Sequence, residues 1–204
     1  MTRLKTILLL AYISIAALSS AMITPALPQI KNLYHITHGA LEWVVSIFLI
    51  GYVVGQLIYG PVANRFGRLN ALRSGLFINL LGVLICIYGS IISPNYAVLL
   101  LGRLVTALGS ASGLVCTFIL LNELLPPEKV KPTMAYAILS FTFGIGISVT
   151  AGSLLTEYAN WMDCFWVLLV YGVIMLWCTW SFTETHKEKT PIRPRTILSG
   201  YISA

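Results

Sequence analysis

The sequence has 204 residues, of which 57% are hydrophobic and only 10% are charged, whereas a soluble globular domain carries about 25% charged residues. So few charges cannot cover a surface in water, which excludes a soluble protein and identifies an integral membrane protein. The net charge of +6 does not indicate nucleic-acid binding, because the basic residues lie in short segments between apolar runs and form no basic patch with interleaved aromatics.

Six apolar runs predict six membrane-spanning helices, since a helix needs about 20 residues to cross ~30 Å of hydrocarbon. In chain order they cover about residues 6–24, 41–59, 72–92, 96–121, 133–155 and 164–182. We therefore expect an all-α membrane protein whose residues 1–183 form a six-helix bundle. Residues 184–204 are polar and mixed in charge, and they predict a cytoplasmic linker or tail.

The amino terminus permits two interpretations. Arg3 and Lys5 precede an apolar run, and Ser19-Ser-Ala21 resembles the cleavage site of a secretory signal. The apolar run continues past that site, however, and five more runs follow it. We favour a retained first helix, which Pro25 and Pro28 are expected to end or kink because proline removes a backbone donor.

The basic residues predict the orientation of the bundle. With the amino terminus in the cytoplasm, all of the 13 lysines and arginines fall on the cytoplasmic side except Lys31, which is outside, and Arg103, which lies within the fourth span. Such a bias sets the orientation of membrane helices during insertion. We therefore expect both termini to be cytoplasmic.

Arg103 is the one basic residue deep in an apolar run, about seven residues into the fourth span. A charge near the centre of a bilayer costs ~2.5–3.5 kcal/mol or more unless it faces water or a partner, so such a residue is a functional candidate. We place Arg103 on the pathway of a substrate or proton. The alternative is that it reaches outward or pairs with a neighbouring carbonyl.

Two spans carry glycines at helical spacing, which favours close packing of helices. The fourth span holds Gly109 and Gly113, and the fifth holds Gly144 and Gly152. Small residues let helix backbones approach each other in a membrane, where packing and weak hydrogen bonds hold a bundle together. These four glycines are our candidates for helix-packing positions.

The most basic and turn-rich passage joins the second and third spans. Within it, Gly67 can adopt the positive φ of a tight turn, and Gly60 permits a close approach at the inner end of the second helix. Asn64 can cap the turn through its side-chain oxygen. Arg65 and Arg68 can reach phosphates or the carbonyls at a helix C-terminus. We treat these five residues as a candidate conformational gate.

The passage Gly60-Pro-Val-Ala-Asn-Arg-Phe-Gly-Arg68 resembles the G-x-x-x-D-R-x-G-R signature between the second and third helices of the major facilitator superfamily. Residues 25–30, 46–61 and 182–185 are similar to its bicyclomycin/chloramphenicol-resistance branch of drug:proton antiporters. Arg103 resembles the fourth-helix arginine of the R-x-x-x-G-type motif, which in that family faces the central cavity and is linked to proton coupling. The resemblance covers nearly the whole chain.

The resemblance implies efflux of drugs or small organic solutes by a multi-pass protein of the cell inner (plasma) membrane. Asn64 stands where the signature has an aspartate, and Ala21 aligns with the first-helix aspartate of this branch. The antiporter motif G-x-x-x-G-P-x-x-G-G of the fifth helix lacks its proline and two glycines in residues 144–153. Because no carboxylate lies well inside a span, the sequence leaves open whether transport is proton-coupled, and it identifies neither substrate nor direction.

Family members have two six-helix halves with the substrate site between them at the midplane, and this chain resembles the amino-terminal half. We expect three partners: the lipid bilayer, a small-molecule substrate, and a second six-helix unit. That unit is either a complementary half, with this chain a fragment or the product of a split gene, or another copy of the chain in a homodimer. No cofactor, metal or nucleic acid is expected.

Two other functions compete with transport. A truncated or degenerate remnant would act only as a membrane interaction protein without transport, which the replaced aspartates favour. An intramembrane serine protease could use Ser110 or Ser112 in the fourth span. We disfavour an enzyme because the three histidines lie in loops, where none is placed to activate a nucleophile.

Overall fold

A computed structural model describes residues 3–182. The described residues are helical except for short turns and contain no strand. Six of their helical segments are long and apolar enough to cross a membrane. The expectation of an all-α protein with six transmembrane helices is confirmed for these residues. The predicted tail, 184–204, lies outside them.

Seven α-helices make up the six spans. They are α1 (Arg3–Ala21), α2 (Leu27–Tyr34), α3 (His38–Phe66), α4 (Arg68–Ile87), α5 (Tyr96–Leu124), α6 (Pro127–Tyr158) and α7 (Asp163–Cys178). The third span continues beyond α4 in a wider π-helical turn, Tyr88–Ile92, and the sixth ends in a 3-10 turn, Thr179–Ser181.

The first span is broken. After α1 ends at Ala21, a 3-10 turn (Thr24–Ala26) leads into α2, so the segment Lys5–Tyr34 is two helices with an interruption between them. Pro25 cannot donate a backbone hydrogen bond, which ends α1. Pro25 and Pro28 are tolerated in the first turn of the 3-10 segment and of α2, because the backbone donor that proline lacks would have no partner there. Most of the stretch between the first two predicted spans, residues 25–40, is therefore helical.

The helices extend further than the apolar runs. The sequence predicts a loop from Asn122 to Pro132, but α5 continues to Leu124 and α6 begins at Pro127. Proline is favourable at the first helical position, and Glu128 in the first turn complements the helix dipole. Hydropathy marks the part of each helix that lies in hydrocarbon, and it does not mark the helix ends.

The fourth span, α5, is the centre of the bundle and packs on α1, α3 and α4. Its contact with α4 is backbone to backbone, because a Cβ on Gly109 would lie 2.2 Å from the backbone nitrogen of Asn79. A Cβ on Gly82 of α4 would lie equally close, 2.2 Å, to the backbone nitrogen of Thr106. Glycine at both positions is what lets these two helices touch.

The second and fifth spans are the least covered. Only 22% of the apolar part of α3 and 17% of that of α6 is buried, against 33–61% for the other four spans. α3 packs mainly on α5, and α6 packs mainly on α1. The two helices therefore leave most of their surface outside the six-helix unit.

Candidate functional site

Arg103 is enclosed in the bundle, with 1% of its surface exposed. Its Nε donates to the carbonyl of Val44 on α3 at 3.2 Å. Its two terminal nitrogens donate to the carbonyls of Ser19 and Ser20 on α1, the latter at 3.4 Å. The guanidinium also lies 4.5 Å from the centre of the Phe48 ring, a cation–π contact. Arg103 therefore joins three spans.

The break in the first span explains these partners. The last carbonyls of a helix have no amide one turn ahead to pair with, and α1 ends at Ala21, directly after Ser19 and Ser20. A cation is also favourable at the negative end of a helix dipole. Arg103 thus caps the end of α1 from the neighbouring helix. The structure pairs Arg103 with backbone carbonyls, which was the alternative to a pathway role, and no sequence pattern marks which carbonyls these are.

The turn between α3 and α4 depends on Gly67. Its φ of 100° and ψ of 153° lie in a region that is essentially restricted to glycine. Gly67 holds both the C-cap position of α3 and the N-cap position of α4. Asn64 lies inside the last turn of α3, exposed, and not at the cap position. Gly60 has open space where a Cβ would sit, so the close approach expected there is not made.

Arg68 starts α4 and forms an ion pair with Glu123 near the end of α5. Its Nε and Nη2 each lie 2.7 Å from Oε1 of Glu123, and its Nη1 donates to the carbonyl of Ala63 in the last turn of α3 at 3.2 Å. The side chain of Arg68 is 11% exposed and that of Glu123 is 30% exposed. Sequence reasoning missed Glu123. Its position just after the fourth apolar run predicts the same side of the membrane as the basic hairpin, but not which base it meets.

Other cations gather at the same end of the bundle. Arg73 on α4 donates to the hydroxyl and carbonyl oxygens of Thr179, each at 3.2 Å, where the sixth span ends. The Nζ of Lys5 lies 5.9 Å from the centre of the Phe182 ring. Arg65 is exposed, with its guanidinium 5.2 Å from the ring centre of the adjacent phenylalanine. Contacts of basic side chains thus connect the first, third and sixth spans at this end.

The glycines predicted to pack helices lie against neighbouring backbones. A Cβ on Gly113 would lie 2.4 Å from the carbonyl oxygen of Tyr12, and one on Gly152 would lie 2.2 Å from that of Met22. Gly144 is less tight, since its Cβ would lie 3.1 Å from the Cβ of Ala17. With Gly109, these residues hold α5 and α6 close to α1 and α4.

The serines considered as nucleophiles are committed to their own helix. Ser110 and Ser112 are fully buried, and their hydroxyls donate to the carbonyls of Ala107 and Gly109. Of the histidines, His38 bonds to Lys31 at the start of α3 and reaches neither serine. The described residues contain no group of three His, Cys, Asp or Glu side chains that could hold a metal ion.

Comparison with known proteins identifies the family. The Major Facilitator Superfamily family model matches residues 9–201. Multidrug resistance protein D of Escherichia coli is 24% identical over 96% of this chain and 48% of its own length. Multidrug resistance protein Stp of Mycobacterium tuberculosis is 28% identical over 82% of this chain and 30% of its own length. The chain spans half or less of the curated relatives it matches.

Solved structures share the same architecture. A crystal structure of a D-xylose-proton symporter superposes with a TM-score of 0.77 over 99% of this chain and 52% of the symporter, at 14% identity. An inward-open structure of the xylose transporter XylE from E. coli gives the same TM-score of 0.77, over 88% and 48% of the two chains. At this identity the likeness shows the fold, and together with the match over residues 9–201 it leads to one conclusion: the chain belongs to the Major Facilitator Superfamily.

Proposed function

We propose that this chain is one wall of a transporter that exports drugs or small organic solutes, and that it works only with a second six-helix unit. The observation that carries the proposal is the superposition of the chain on 52% of a D-xylose-proton symporter. In this fold the substrate site lies near the midplane where two repeats meet. A single six-helix unit supplies half of such a site. The two multidrug resistance relatives support drugs as substrates.

The second unit covers surface that this chain leaves open, which is greatest on α3 and α6. We propose either a complementary half or a second copy of this chain. A second copy would present the same two helices across a two-fold axis. Either arrangement places a cavity at the centre of a multi-pass protein in the inner (plasma) membrane.

The end of the bundle that holds Arg65, Arg68 and Arg73 is proposed to be cytoplasmic, as is the amino terminus. Lys5 belongs to the same end, because it contacts the residue that follows the sixth span. Lysines and arginines are retained on the cytoplasmic side of membrane proteins. With six spans, the carboxyl end of the bundle then lies on the cytoplasmic side as well.

The junction of Arg68, Glu123 and Ala63 is proposed to act as a gate on the cytoplasmic side. It joins the ends of α3 and α5 to the start of α4, so moving any of these helices relative to the others requires the ion pair to shift. Gly67 supplies the sharp turn that brings Arg68 to this position. Asn64 and Arg65, which are exposed, and Gly60, which is half-buried, complete the gating loop.

Arg103 is proposed to hold the pathway wall together and to take part in transport through its bonds to α1 and α3. The acidic residues that the structure describes all lie near helix ends rather than in the middle of a span: Glu42, Glu123, Glu128, Glu157 and Asp163. Proton coupling would therefore rely on a carboxylate of the second unit.

Transport is tested by reconstituting the purified chain in liposomes, alone and with any six-helix protein that co-purifies with it. Flux of a fluorescent drug is measured with and without a pH gradient. We expect flux from the chain alone if the second unit is another copy of it, and flux only with the co-purified protein if the second unit is a complementary half. Arg103→Gln should reduce the flux in either case. As a control, Glu157→Gln alters an exposed carboxylate at the end of α6 and should leave flux unchanged.

A remnant without transport is the second candidate, favoured by Asn64 and Ala21 at the positions of the two family aspartates. Cross-linking in native membranes separates the cases. A strict monomer that shows no flux in any reconstitution would support the remnant and overturn the proposed transporter. A cross-linked pair of identical chains would assign the homodimer.

A further inference from the structure

A groove runs along one side of the bundle, away from α3, α4 and α5. It lies between α1, α6 and α7, has a volume of about 440 Å³, and is lined by uncharged side chains. Its walls are apolar, with Leu18 on α1 and Phe143 and Ile147 on α6. Pockets for small molecules measure about 300–1,000 Å³, and most are apolar with a few placed polar groups. This side groove falls within that range.

Three hydroxyl groups lie on the floor of the side groove. The hydroxyls of Ser14 and Tyr171 each lie within hydrogen-bond distance of the carbonyl of Ala11, at 2.7 and 2.9 Å, and they lie 2.7 Å from each other. The hydroxyl of Ser140 donates to the carbonyl of Leu10 at 3.1 Å. Hydroxyl groups from α1, α6 and α7 thus meet at one helix turn of α1.

The protons of these three hydroxyls are all donated to hydrogen bonds within the floor of the side groove. Each hydroxyl has one proton to donate and two lone pairs that accept. The proton of Ser140 goes to Leu10, and the protons of Ser14 and Tyr171 are shared between the Ala11 carbonyl and each other. Lone pairs remain on all three oxygens, and no donor from the described residues is bonded to Ser140. The side groove therefore presents acceptors and no spare donor.

The depth of the groove floor in the bilayer limits the charge that a bound ligand can carry. Ser14 lies about nine residues, or roughly 14 Å by helical rise, from the cytoplasmic end of the first span, which is near the middle of the bilayer. A charged group there costs ~2.5–3.5 kcal/mol or more without a counter-charge, and the residues lining the side groove include no acid. The complementary group is a neutral donor.

We propose that the side groove binds a neutral, lipophilic molecule that carries one hydroxyl donor, such as a phenol with an apolar substituent. The hydroxyl donates to the oxygens of Tyr171, Ser14 or Ser140, and the apolar body lies against Phe143 and Ile147. All of the residues that line this site belong to one six-helix unit. The site needs no second unit, so its test is independent of transport.

Photolabelling of the purified full chain in lipid nanodiscs tests this site. The probe is an alkylphenol that carries a diazirine, and the matched probe is its methyl ether, which has the same shape and no donor. We expect the phenol to label peptides of α1, α6 and α7 about fivefold more strongly than the ether, the factor that one net hydrogen bond supplies. Equal labelling by the two probes would overturn the proposal. It would mean that the groove takes up any apolar molecule, such as a lipid acyl chain, without regard to a hydroxyl donor.

Two variants locate the binding. The double variant Ser14→Ala with Tyr171→Phe removes two of the three acceptor hydroxyls and should lower the preference for the phenol. Ile147→Trp fills the rim of the groove and should lower labelling by both probes; Ile147 is 64% exposed, so the larger ring causes no clash in the core. Tyr136→Phe is the matched control, because it removes an exposed tyrosine hydroxyl from α6 outside the groove. A full phenol preference in the double variant would contradict the site.

Discussion

Arg68 and Glu123 are 55 residues apart in sequence, and Nη2 of the arginine lies 2.7 Å from Oε1 of the glutamate. The pair lies at the end of the bundle where the chain turns from α3 to α4. Because the guanidinium also bonds to the carbonyl of Ala63, a single side chain fixes three helix ends. The side chains of Arg68 and Glu123 are both partly exposed to solvent, which weakens the attraction between their charges. The ion pair can therefore break and re-form at low cost.

The first prediction concerns that ion pair. Glu123→Gln should lower the free energy of unfolding by about 1 kcal/mol or less, since partly exposed ion pairs contribute roughly 0.2–1 kcal/mol. Arg68→Gln should cost more, because it also removes the bond to Ala63. Thermal unfolding in detergent gives both values, with Glu157→Gln as the control. Equal costs for the two substitutions would mean that the Ala63 bond contributes nothing.

The second prediction compares two glycines of the hairpin. Gly67→Ala forces a residue with a Cβ into φ 100° and ψ 153° and should cost about 1–3 kcal/mol. Gly60→Ala, inside α3 and with open space around its Cβ position, should be neutral or stabilise by up to about 1 kcal/mol through helix propensity. Denaturant or thermal unfolding distinguishes them, and a harmless Gly67→Ala would contradict the described turn.

The third prediction uses two glycines of α6 that face in different directions. A Cβ at Gly152 would lie 2.2 Å from the carbonyl oxygen of Met22, so Gly152→Ala should push α6 away from α1 and cost about 1–3 kcal/mol. Gly146 has nothing within 4 Å of the same point, and Gly146→Ala should not destabilise. Monodispersity and the unfolding midpoint measure both variants, and similar midpoints would count against the α1–α6 packing.

The fourth prediction concerns Arg103. A lysine ammonium is a compact point charge and cannot reach three separate carbonyls as a planar guanidinium does. Arg103→Lys should therefore cost about 2 kcal/mol or more, given that each hydrogen bond from a charged group contributes about 1.5–3 kcal/mol. Hydrogen exchange should rise specifically in residues 17–24 at the end of α1. Unchanged exchange there would show that Arg103 does not cap this helix.

Much of the fold could be predicted from apolar run lengths and charge placement. The six spans follow from the need to bury about 20 residues in hydrocarbon, and the glycine at position 67 was recognisable from its place between two runs. The helix ends could not be predicted in the same way. Helices such as α5 and α6 continue past the hydrocarbon, where hydropathy no longer reports on the backbone.

The candidate site was only partly predictable for a related reason. Arg103 was evident as a charge inside an apolar run, but its partners are backbone carbonyls, which every residue carries and no sequence pattern marks. Whether these carbonyls are free to accept a hydrogen bond from Arg103 depends on where α1 ends. The partner of Arg68 was missed because the ion pair joins segments 55 residues apart, and one acidic residue among several does not reveal which base it meets.

The interruption of the first span has a consequence for motion. The segment Thr24–Tyr34 is connected to α1 by the turn at Met22 and Ile23, and Arg103 on α5 bonds to the carbonyls of Ser19 and Ser20 in the last turn of α1, just before that turn. Any tilting of α2 that moves the end of α1 must stretch or break these hydrogen bonds. Arg103 would thereby transmit such a movement to α5, although the first span is not one continuous helix.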